Sequence, residues 1–335
     1  MTKTKTKILF TGDGFHQVPE VGAGRILTHI HATDIRGYLD CRRRFYYDKI
    51  LRIKPVDSKE PEYFDFGKKG HRVLQAHYNS DSVDEVLESI DNAAHKQALR
   101  SMYKLYVPQW EEEDKKYQIA SADNSMVVLF EGVEIYFTID LLALDTSLPK
   151  PFYVVLDHKF YSRMPDERIL DKDFQPTFYL WGLNKINIRA KKFILNVIKK
   201  EIPLPPQPLK KGGLSRSKAA LDDTEYDLYL QSIHGFGLNP ADYKEELDYL
   251  LRRGSSIFKR IPTGRTDREL ETFEEDLRYI IREIRDKNTR FVPTPGLDCP
   301  RCPFTFLCKV HSASSEWNYQ HTRKTMYTQK SEDER

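Results

Sequence analysis

The placement of four cysteines constrains this chain more than any other feature. Cys299, Cys302 and Cys308 form a C-x2-C-x5-C group near the C-terminus, whereas Cys41 stands alone near the N-terminus. Such a group can fix three corners of a metal site, and Cys41 can supply the fourth thiolate only if the fold brings both chain ends together. Zinc sites with four thiolates usually use two C-x2-C pairs, so this arrangement favours an iron–sulfur cluster. Zinc, or thiols that pack as small hydrophobic residues, are the alternatives.

The composition indicates a globular protein. A chain of 335 residues with 39% apolar residues can bury a large core in one elaborate domain or two small ones. The net charge of +3 does not by itself indicate a nucleic-acid-binding protein, so any basic surface must be local. The first ten residues lack an apolar segment of signal-peptide length, and no apolar run of about 18 residues occurs. We expect a soluble, cytoplasmic protein without a membrane partner, whose clustered cysteines bind metal rather than form disulfides.

The hydrophobic pattern predicts a mixed α/β fold. Predicted helices cover about 33–49, a segment starting near 64, 82–106, 171–185 and two or three segments within 224–287. Predicted strands cover 126–130, 133–144, 152–160 and 192–199, with Gly132 at a hairpin turn. A basic, proline-rich loop follows at 203–216, and the polar segment from about 320 onward is expected to be a frayed tail.

Acidic and basic residues on the central strands suggest a catalytic site. Asp157 and Lys159 are two residues apart, so on a strand their side chains point to the same face. Asp140 lies near the end of the preceding apolar strand, and a hairpin would bring it close to Asp157. Two carboxylates and a lysine suit metal-assisted hydrolysis of phosphodiesters. Without further motifs, an Asp-x-Lys pair is more often part of a solvated strand face.

Further motifs occur in a fixed order along the chain. They are residues 39–47 (LDCRRRFYY), residues 67–71 (GKKGH), Asp140, residues 157–159 (DHK), residues 175–179 (QPTFY) and the C-terminal cysteine group. Together they resemble the PD-(D/E)xK nuclease superfamily, in particular the iron–sulfur branch of RecB/AddB-type nuclease domains and CRISPR-associated exonucleases. Two positions depart from the family pattern. Phe137 replaces a glycine before the first acid, which leaves Asp145 as an alternative to Asp140, and Phe160 replaces a small hydroxyl residue after the lysine.

The resemblance implies a restriction-endonuclease-like core, with a mixed β-sheet flanked by helices. It implies a 4Fe-4S cluster that joins the N- and C-terminal segments through Cys41, Cys299, Cys302 and Cys308. The residues implied to bind Mg2+ or Mn2+ are His71, Asp140 and Asp157, and those implied to take part in catalysis are Asp140, Asp157, Lys159, Gln175 and Tyr179. Lys159 would position or help to activate water. Gln175 and Tyr179 are i, i+4 on a helix and share a face, where they could hold a phosphate, a base or the lysine.

Basic residues near these motifs are candidates for nucleic-acid contacts. Lys and Arg neutralise phosphates, and neighbouring aromatic residues can stack on bases. The candidates are Arg42, Arg43, Arg44, Lys210, Lys211, Arg216, Arg260 and Arg265. For any one of them, a solvated surface position is an equally good interpretation.

These observations predict a metal-dependent deoxyribonuclease, either an exonuclease or an end- or flap-processing enzyme of recombination, repair or replication. Its DNA would be single-stranded or have free ends. Because no G-x4-G-K-[ST] phosphate loop occurs, a helicase or recombination partner would be a separate protein. The predicted organisation is an N-terminal lead at 1–30, a nuclease domain at 31–315 with a helical insert at about 220–290, and a polar tail at 316–335. A catalytically silent iron–sulfur subunit that binds nucleic acid, or a zinc-containing RNA nuclease, is the alternative.

Overall fold

The structure is a computed structural model that describes residues 28–56 and 62–330. Its strands are β1 (His29–His31), β2 (Ile53–Pro55), β3 (Tyr117–Phe130), β4 (Val133–Asp145), β5 (Phe152–Tyr161), β6 (Ala190–Lys199), β7 (Phe258–Gly264) and β8 (Tyr327–Gln329). Its α-helices are α1 (Ala32–Asp40), α2 (Arg42–Phe45), α3 (Glu62–Tyr78), α4 (Val83–Glu88), α5 (Ala93–Asp114), α6 (Phe174–Lys185), α7 (Lys218–Asp222), α8 (Tyr226–Gly235), α9 (Lys244–Arg253), α10 (Asp267–Arg285), α11 (Thr305–Ala313) and α12 (Glu316–Met326). A π-helical turn covers Tyr46–Ile50, and 3-10 turns cover Glu167–Lys172, Pro240–Tyr243 and Cys299–Arg301.

Within the described ranges, six strands form one mixed sheet around β4. The hairpin partner β3 pairs with β4 along nearly its whole length, and Glu131 and Gly132 adopt the positive φ angles that a tight hairpin turn requires. The other edge of β4 is shared, because β1 pairs in parallel at 134–136 and β5 pairs antiparallel at 141–145. Residues 137–140 therefore have no strand partner on that edge within the described chain. The sheet continues through β6, parallel to β5, to the antiparallel edge strand β7.

Helices cover the sheet through two apolar cores. In the first, Phe178 and Trp181 of α6 and Leu277 and Ile281 of α10 are buried with residues of β4 and β6. The second core contains apolar residues of α3, α4 and α5 together with Ile198 and Phe258. The predicted α/β fold, a mixed central sheet flanked by helices, is confirmed.

The predicted helical insert at about 220–290 is wrong in its second half. Residues 258–264 form β7 and pair with β6, and α10 packs in the first core. The part of the insert that does form a separate small core contains α7, α8 and α9, with Leu221, Tyr229 and Leu250 buried in it. Pro262 made the strand hard to recognise, since proline lacks the N–H that a central strand donates, but β7 is an edge strand and tolerates it.

The C-terminal segment is also more ordered than predicted. Ser315 caps α12 by accepting a hydrogen bond from the Asn318 N–H, and β8 pairs antiparallel with β2. Tyr319 and Tyr327 are buried in a cluster with Tyr47 and residues of α11. The expected frayed tail is therefore wrong for residues 316–329, because these two tyrosines bury apolar area against a distant part of the chain.

Two predicted helices are interrupted. The helix predicted over 33–49 follows His31 and stops at Asp40, because Cys41 has extended backbone angles before the chain turns helical again. The helix predicted over 82–106 divides into α4 and α5, which are capped by Ser82 and Asn92. Most of the predicted N-terminal lead, residues 1–27, lies outside the described residues. No helix in the described ranges has both the length and the apolar character needed to cross a membrane.

Candidate active site

The two predicted carboxylates lie where β4 and β5 separate. The last paired residues are Leu141 and Leu156, and Asp140 and Asp157 are the next residues beyond them. Asp140 Oδ2 accepts a 2.7 Å hydrogen bond from the backbone N–H of His158. The backbone geometry thus brings the two acids to one edge of the unpaired segment of β4.

The alternative acid, Asp145, has a different environment. Its Oδ1 accepts hydrogen bonds from the N–H and the hydroxyl of Ser147, at 3.0 and 2.6 Å. These contacts close the turn that follows β4 and hold the pKa of Asp145 below its ordinary value against the effect of burial. Asp140, rather than Asp145, is therefore the acid placed beside Asp157.

Asp157 and Lys159 form an ion pair, with Lys159 Nζ 2.9 Å from Asp157 Oδ2. Burial raises the pKa of Asp157 to about 6, although the Lys159 charge opposes that effect. Burial alone would lower the pKa of Lys159, but the charges of Asp157 and Asp140 raise it above its ordinary value. Lys159 is therefore an ammonium at neutral pH and can supply charge or a hydrogen bond rather than accept a proton.

Gln175 and Tyr179 connect α6 to both strands. The Gln175 amide donates to Asp157 Oδ1 at 2.9 Å and to the Tyr179 hydroxyl at 2.9 Å. The Tyr179 hydroxyl donates in turn to the backbone carbonyl of Thr138 at 2.7 Å. The shared helix face predicted from the i, i+4 spacing is present, and in this structure it holds one carboxylate oxygen of Asp157.

His71 approaches the site from α3. Its Nδ1 lies 3.4 Å from Asp140 Oδ2. Burial raises the pKa of Asp140, but the contact with His71 and the positive charge of Lys159 outweigh burial and lower the pKa to about 2. Asp140 is therefore ionised at every pH at which the protein would work.

Both departures from the family pattern place an aromatic ring against a helical glycine. A Cβ atom on Gly70 of α3 would lie 2.2 Å from the ring of Phe160. A Cβ atom on Gly182 of α6 would lie 3.1 Å from the ring of Phe137. The two large rings fit because the facing helix has a glycine, which has no side chain, at each contact. The contact of Gly70 with Phe160 holds α3 against β5 and so places His71 near Asp140.

Replacing Gly70 by alanine should lower the free energy of unfolding by about 1–3 kcal/mol, because the methyl group overlaps the Phe160 ring and pushes α3 away. His71 should then move away from Asp140, so any phosphodiester hydrolysis at this site should slow as well. Thermal or urea unfolding measures the first effect and an oligonucleotide assay the second. Gly67→Ala is the control, since nothing lies within 4 Å of its Cβ and alanine favours a helix interior. Equal stability of the two variants would show that α3 is not held by this contact.

A buried polar network lies beneath β5 and was missed by sequence reasoning. The Asn196 amide nitrogen lies 2.8 Å from His158 Nδ1 and donates to the Tyr106 hydroxyl at 2.8 Å. Burial lowers the pKa of His158 to about 3, so its ring is neutral. The one sequence signal was Asn196 within an apolar strand, since a fully buried amide needs polar partners.

Arg260 belongs to this network rather than to a surface. Its guanidinium is 4% exposed, forms an ion pair with Asp114 at 2.5 Å and lies over the ring of Trp110. Arg43 is buried too and donates to the carbonyl of Phe291. The prediction that these two arginines contact nucleic acid is corrected, because both are enclosed by protein partners.

The other predicted basic residues differ in accessibility. Arg42 forms an ion pair with Glu283 at 3.0 Å, and Arg216 lies 3.5 Å from a carboxylate oxygen of Glu246. Arg265 donates to the Thr177 hydroxyl and to backbone carbonyls, so it ties β7 to α6. The exposed members of the set are Arg44, Lys210, Lys211 and Arg216.

The four cysteines lie near one another, and all four are free thiols. Burial raises the pKa of Cys302 and of Cys308, and the neighbouring thiols of Cys41 and Cys299 raise both further. In residues 28–56 and 62–330, no three His, Cys, Asp or Glu side chains are assembled as a metal-binding group. The structure therefore brings the cysteines near one another without showing the expected cluster.

Protein contacts join the chain ends in the same region. Besides the β2–β8 pairing, the Tyr47 hydroxyl and His311 Nδ1 lie 2.8 Å apart. Lys330 forms an ion pair with Asp48. Any metal bound here would thus strengthen a junction that side chains already make.

Comparison with known proteins identifies a family for most of this chain. The model of the PD-(D/E)XK nuclease superfamily matches residues 29–309, which include every element of the site. No curated protein matches the sequence. Among solved structures, the crystal structure of SSO0001 is 11% identical, with a TM-score of 0.36 over 85% of this chain and 87% of that chain. The match over most of the chain shows that this protein belongs to the PD-(D/E)XK nuclease superfamily.

Proposed function

We propose that this protein is a Mg2+- or Mn2+-dependent deoxyribonuclease that acts as an exonuclease or an end- or flap-processing enzyme. One observation carries the proposal: Asp140 and Asp157 flank the opening between β4 and β5, with the Lys159 ammonium 2.9 Å from Asp157. Membership of a nuclease superfamily supports hydrolysis of phosphodiesters. A role in recombination, repair or replication, beside a separate helicase or recombination protein, is part of the proposal.

The donor atoms suit a divalent cation. Asp157 Oδ2 is buried and accepts no hydrogen bond from the described residues, although the Lys159 ammonium lies beside it. A divalent cation could share this oxygen with the Lys159 ammonium, because carboxylate oxygens are the ligands that hard cations prefer. Asp140 and Asp157 would hold the ion, and His71 would have to move to join them, because these three side chains are not assembled as a metal-binding group within the described ranges. The set would suit Mn2+ as well as Mg2+. When bound, the cation supplies positive charge at the scissile phosphate.

The protein groups have separate roles in this proposal. Gln175 holds Asp157 Oδ1, which leaves Oδ2 to Lys159 and to a cation that would bind here. The Lys159 ammonium can donate to the attacking water or to a phosphate oxygen, and it offsets the negative charge that develops during in-line attack. Because the pKa of Lys159 is raised, Lys159 is not the base that deprotonates the water.

Cleavage should require added Mg2+ or Mn2+ and should stop when a chelator removes them. At a limiting Mn2+ concentration, activity should fall as the pH drops through about 6, because the proton on Asp157 then competes with the cation. Raising the Mn2+ concentration should move this midpoint to lower pH. The measurement is the initial rate on a labelled oligonucleotide across pH and Mn2+ concentration.

Substrate controls test the finer part of the proposal. An exonuclease should degrade linear single-stranded DNA and spare a covalently closed circle of the same sequence, whereas equal cleavage of both would show endonuclease activity. An RNA of matching sequence distinguishes a ribonuclease. Full activity after thorough chelation would contradict the metal-dependent mechanism in every form.

We also propose that Cys41, Cys299, Cys302 and Cys308 bind a 4Fe-4S cluster. The mutual influence of these thiols on the pKa values of Cys302 and Cys308 supports their proximity. The nearby positive charges of Arg44 and Arg43 oppose the rise that burial causes in the pKa values of Cys302 and Cys308 but do not reverse it. Iron, sulfide and zinc analysis of anaerobically purified protein distinguishes a cluster from a zinc site.

A further inference from the structure

One face of α3 forms the wall of a cleft that reaches the carboxylates. Lys68, His71, Arg72 and Gln75 follow the 3–4 spacing of a helix face, and all four line a cleft of about 300 Å3 together with Asp123, Asp140 and His158. With a rise of about 1.5 Å per residue, the four α3 residues extend along roughly 10 Å of the cleft. The wall therefore extends along α3 on both sides of His71.

The positive charges on this wall lie on both sides of the His71 position in sequence. Lys68 and Arg72 are exposed and one helical turn apart, and His71 contacts Asp140 between them. Arg72 donates to the Ser89 hydroxyl at 3.3 Å in an exposed contact, which a charged ligand could replace at little cost. The Gln75 amide donates to Asp123, the other acid of the cleft, at 3.0 Å.

We propose that Lys68 and Arg72 bind the phosphates next to the scissile phosphate on the same nucleic-acid strand. The inference rests on the proposed nuclease function, since the scissile phosphate is placed at Asp140 and Asp157. A strand entering there continues along the α3 wall, where Arg72 can bind a phosphate through two N–H groups and Lys68 as a point charge. The predicted ligand is thus a nucleic-acid strand with several consecutive phosphates, whereas a compound with a single phosphodiester would not reach Lys68 and Arg72.

Equilibrium binding tests the site without turnover. A fluorescent single-stranded oligonucleotide is titrated, in the presence of chelator, into Asp157→Asn protein with and without Lys68→Gln/Arg72→Gln. We expect the two substitutions to weaken binding about three- to tenfold at low salt. The slope of log affinity against log salt concentration should shrink by about 1.4, which is about 0.7 for each lost phosphate contact. Lys244→Gln/Arg252→Gln on α9 is the control that removes the same charge from the separate helical core.

Turnover on two substrates separates phosphate binding from chemistry. The loss of kcat/KM on the oligonucleotide should exceed the loss on bis(p-nitrophenyl) phosphate, which has one phosphate, by about tenfold. Equal losses on both substrates, or binding and salt slopes equal to those of the α9 control, would overturn the inference. If the parent protein hydrolyses neither substrate, the proposed function fails, whereas the binding titration still decides whether α3 holds phosphates.

Discussion

Asp157→Asn should reduce DNA cleavage at least a thousandfold, which is about 4 kcal/mol of activation barrier, without loss of thermal stability. The carboxylate is 1% exposed, and burial raises its pKa to about 6, so its charge is unfavourable in the folded protein. Asparagine keeps the size and the Oδ1 acceptor for Gln175 but removes the charge that would bind the cation. Rates on a labelled oligonucleotide and thermal unfolding provide the two readouts.

Asp145→Asn is the matched control, because Asp145 serves the turn at Ser147 and should affect stability more than turnover. Lys159→Ala should match Asp157→Asn in effect, and the double variant should be little slower than either, since groups that act together are not additive. Activity of Asp157→Asn within about tenfold of the parent would remove Asp157 from the mechanism.

Cys41→Ser should bleach the brown colour of the anaerobically purified protein and lower its melting temperature by on the order of 5–10 °C, as should Cys302→Ser. The two positions are far apart in sequence, but the Cys41 and Cys302 thiols both raise the pKa of Cys308, so both lie near it. Losing either ligand would release metal bonds that close a very long loop. Iron content, the visible spectrum and calorimetry measure the effect.

Tyr47→Phe separates the proposed cluster from the protein contacts around it. This change removes the contact with His311 and leaves all four thiols, so iron content should stay complete while stability falls slightly. A Cys41→Ser protein with full iron content and an unchanged melting temperature would show that Cys41 is an ordinary residue at the α1–α2 break.

The parts of the site that follow from local geometry could be predicted from sequence. Strand alternation forces Asp157 and Lys159 to one face, and helix periodicity does the same for Gln175 and Tyr179. Periodicity did not predict that Gln175 would bind one oxygen of Asp157, because that contact depends on how α6 packs across the sheet. The α3 wall was missed for a similar reason, since its position depends on how α3 packs on the sheet, where Gly70 contacts Phe160 of β5.

The errors involve partners that are distant in the chain. Arg260 was interpreted as a surface charge, yet Asp114 and Trp110, about 150 positions earlier, enclose it. Tyr327 was placed in a tail, although β8 pairs with β2 near the other end. Composition and spacing predict which residues share a face of one helix or strand. They do not predict contacts between residues far apart in sequence, which form only when the chain folds.

Because residues 137–140 of β4 have no strand partner on that edge within the described chain, the backbone amide of His158 can report on the position of Asp140. The N–H of His158 points to the edge where β4 would continue the ladder, and the Asp140 carboxylate is its acceptor instead of a backbone carbonyl. The rate at which this proton exchanges with deuterium therefore depends on where the carboxylate points. Exchange at one backbone position can follow the recruitment of Asp140 by a cation in protein that is not turning over.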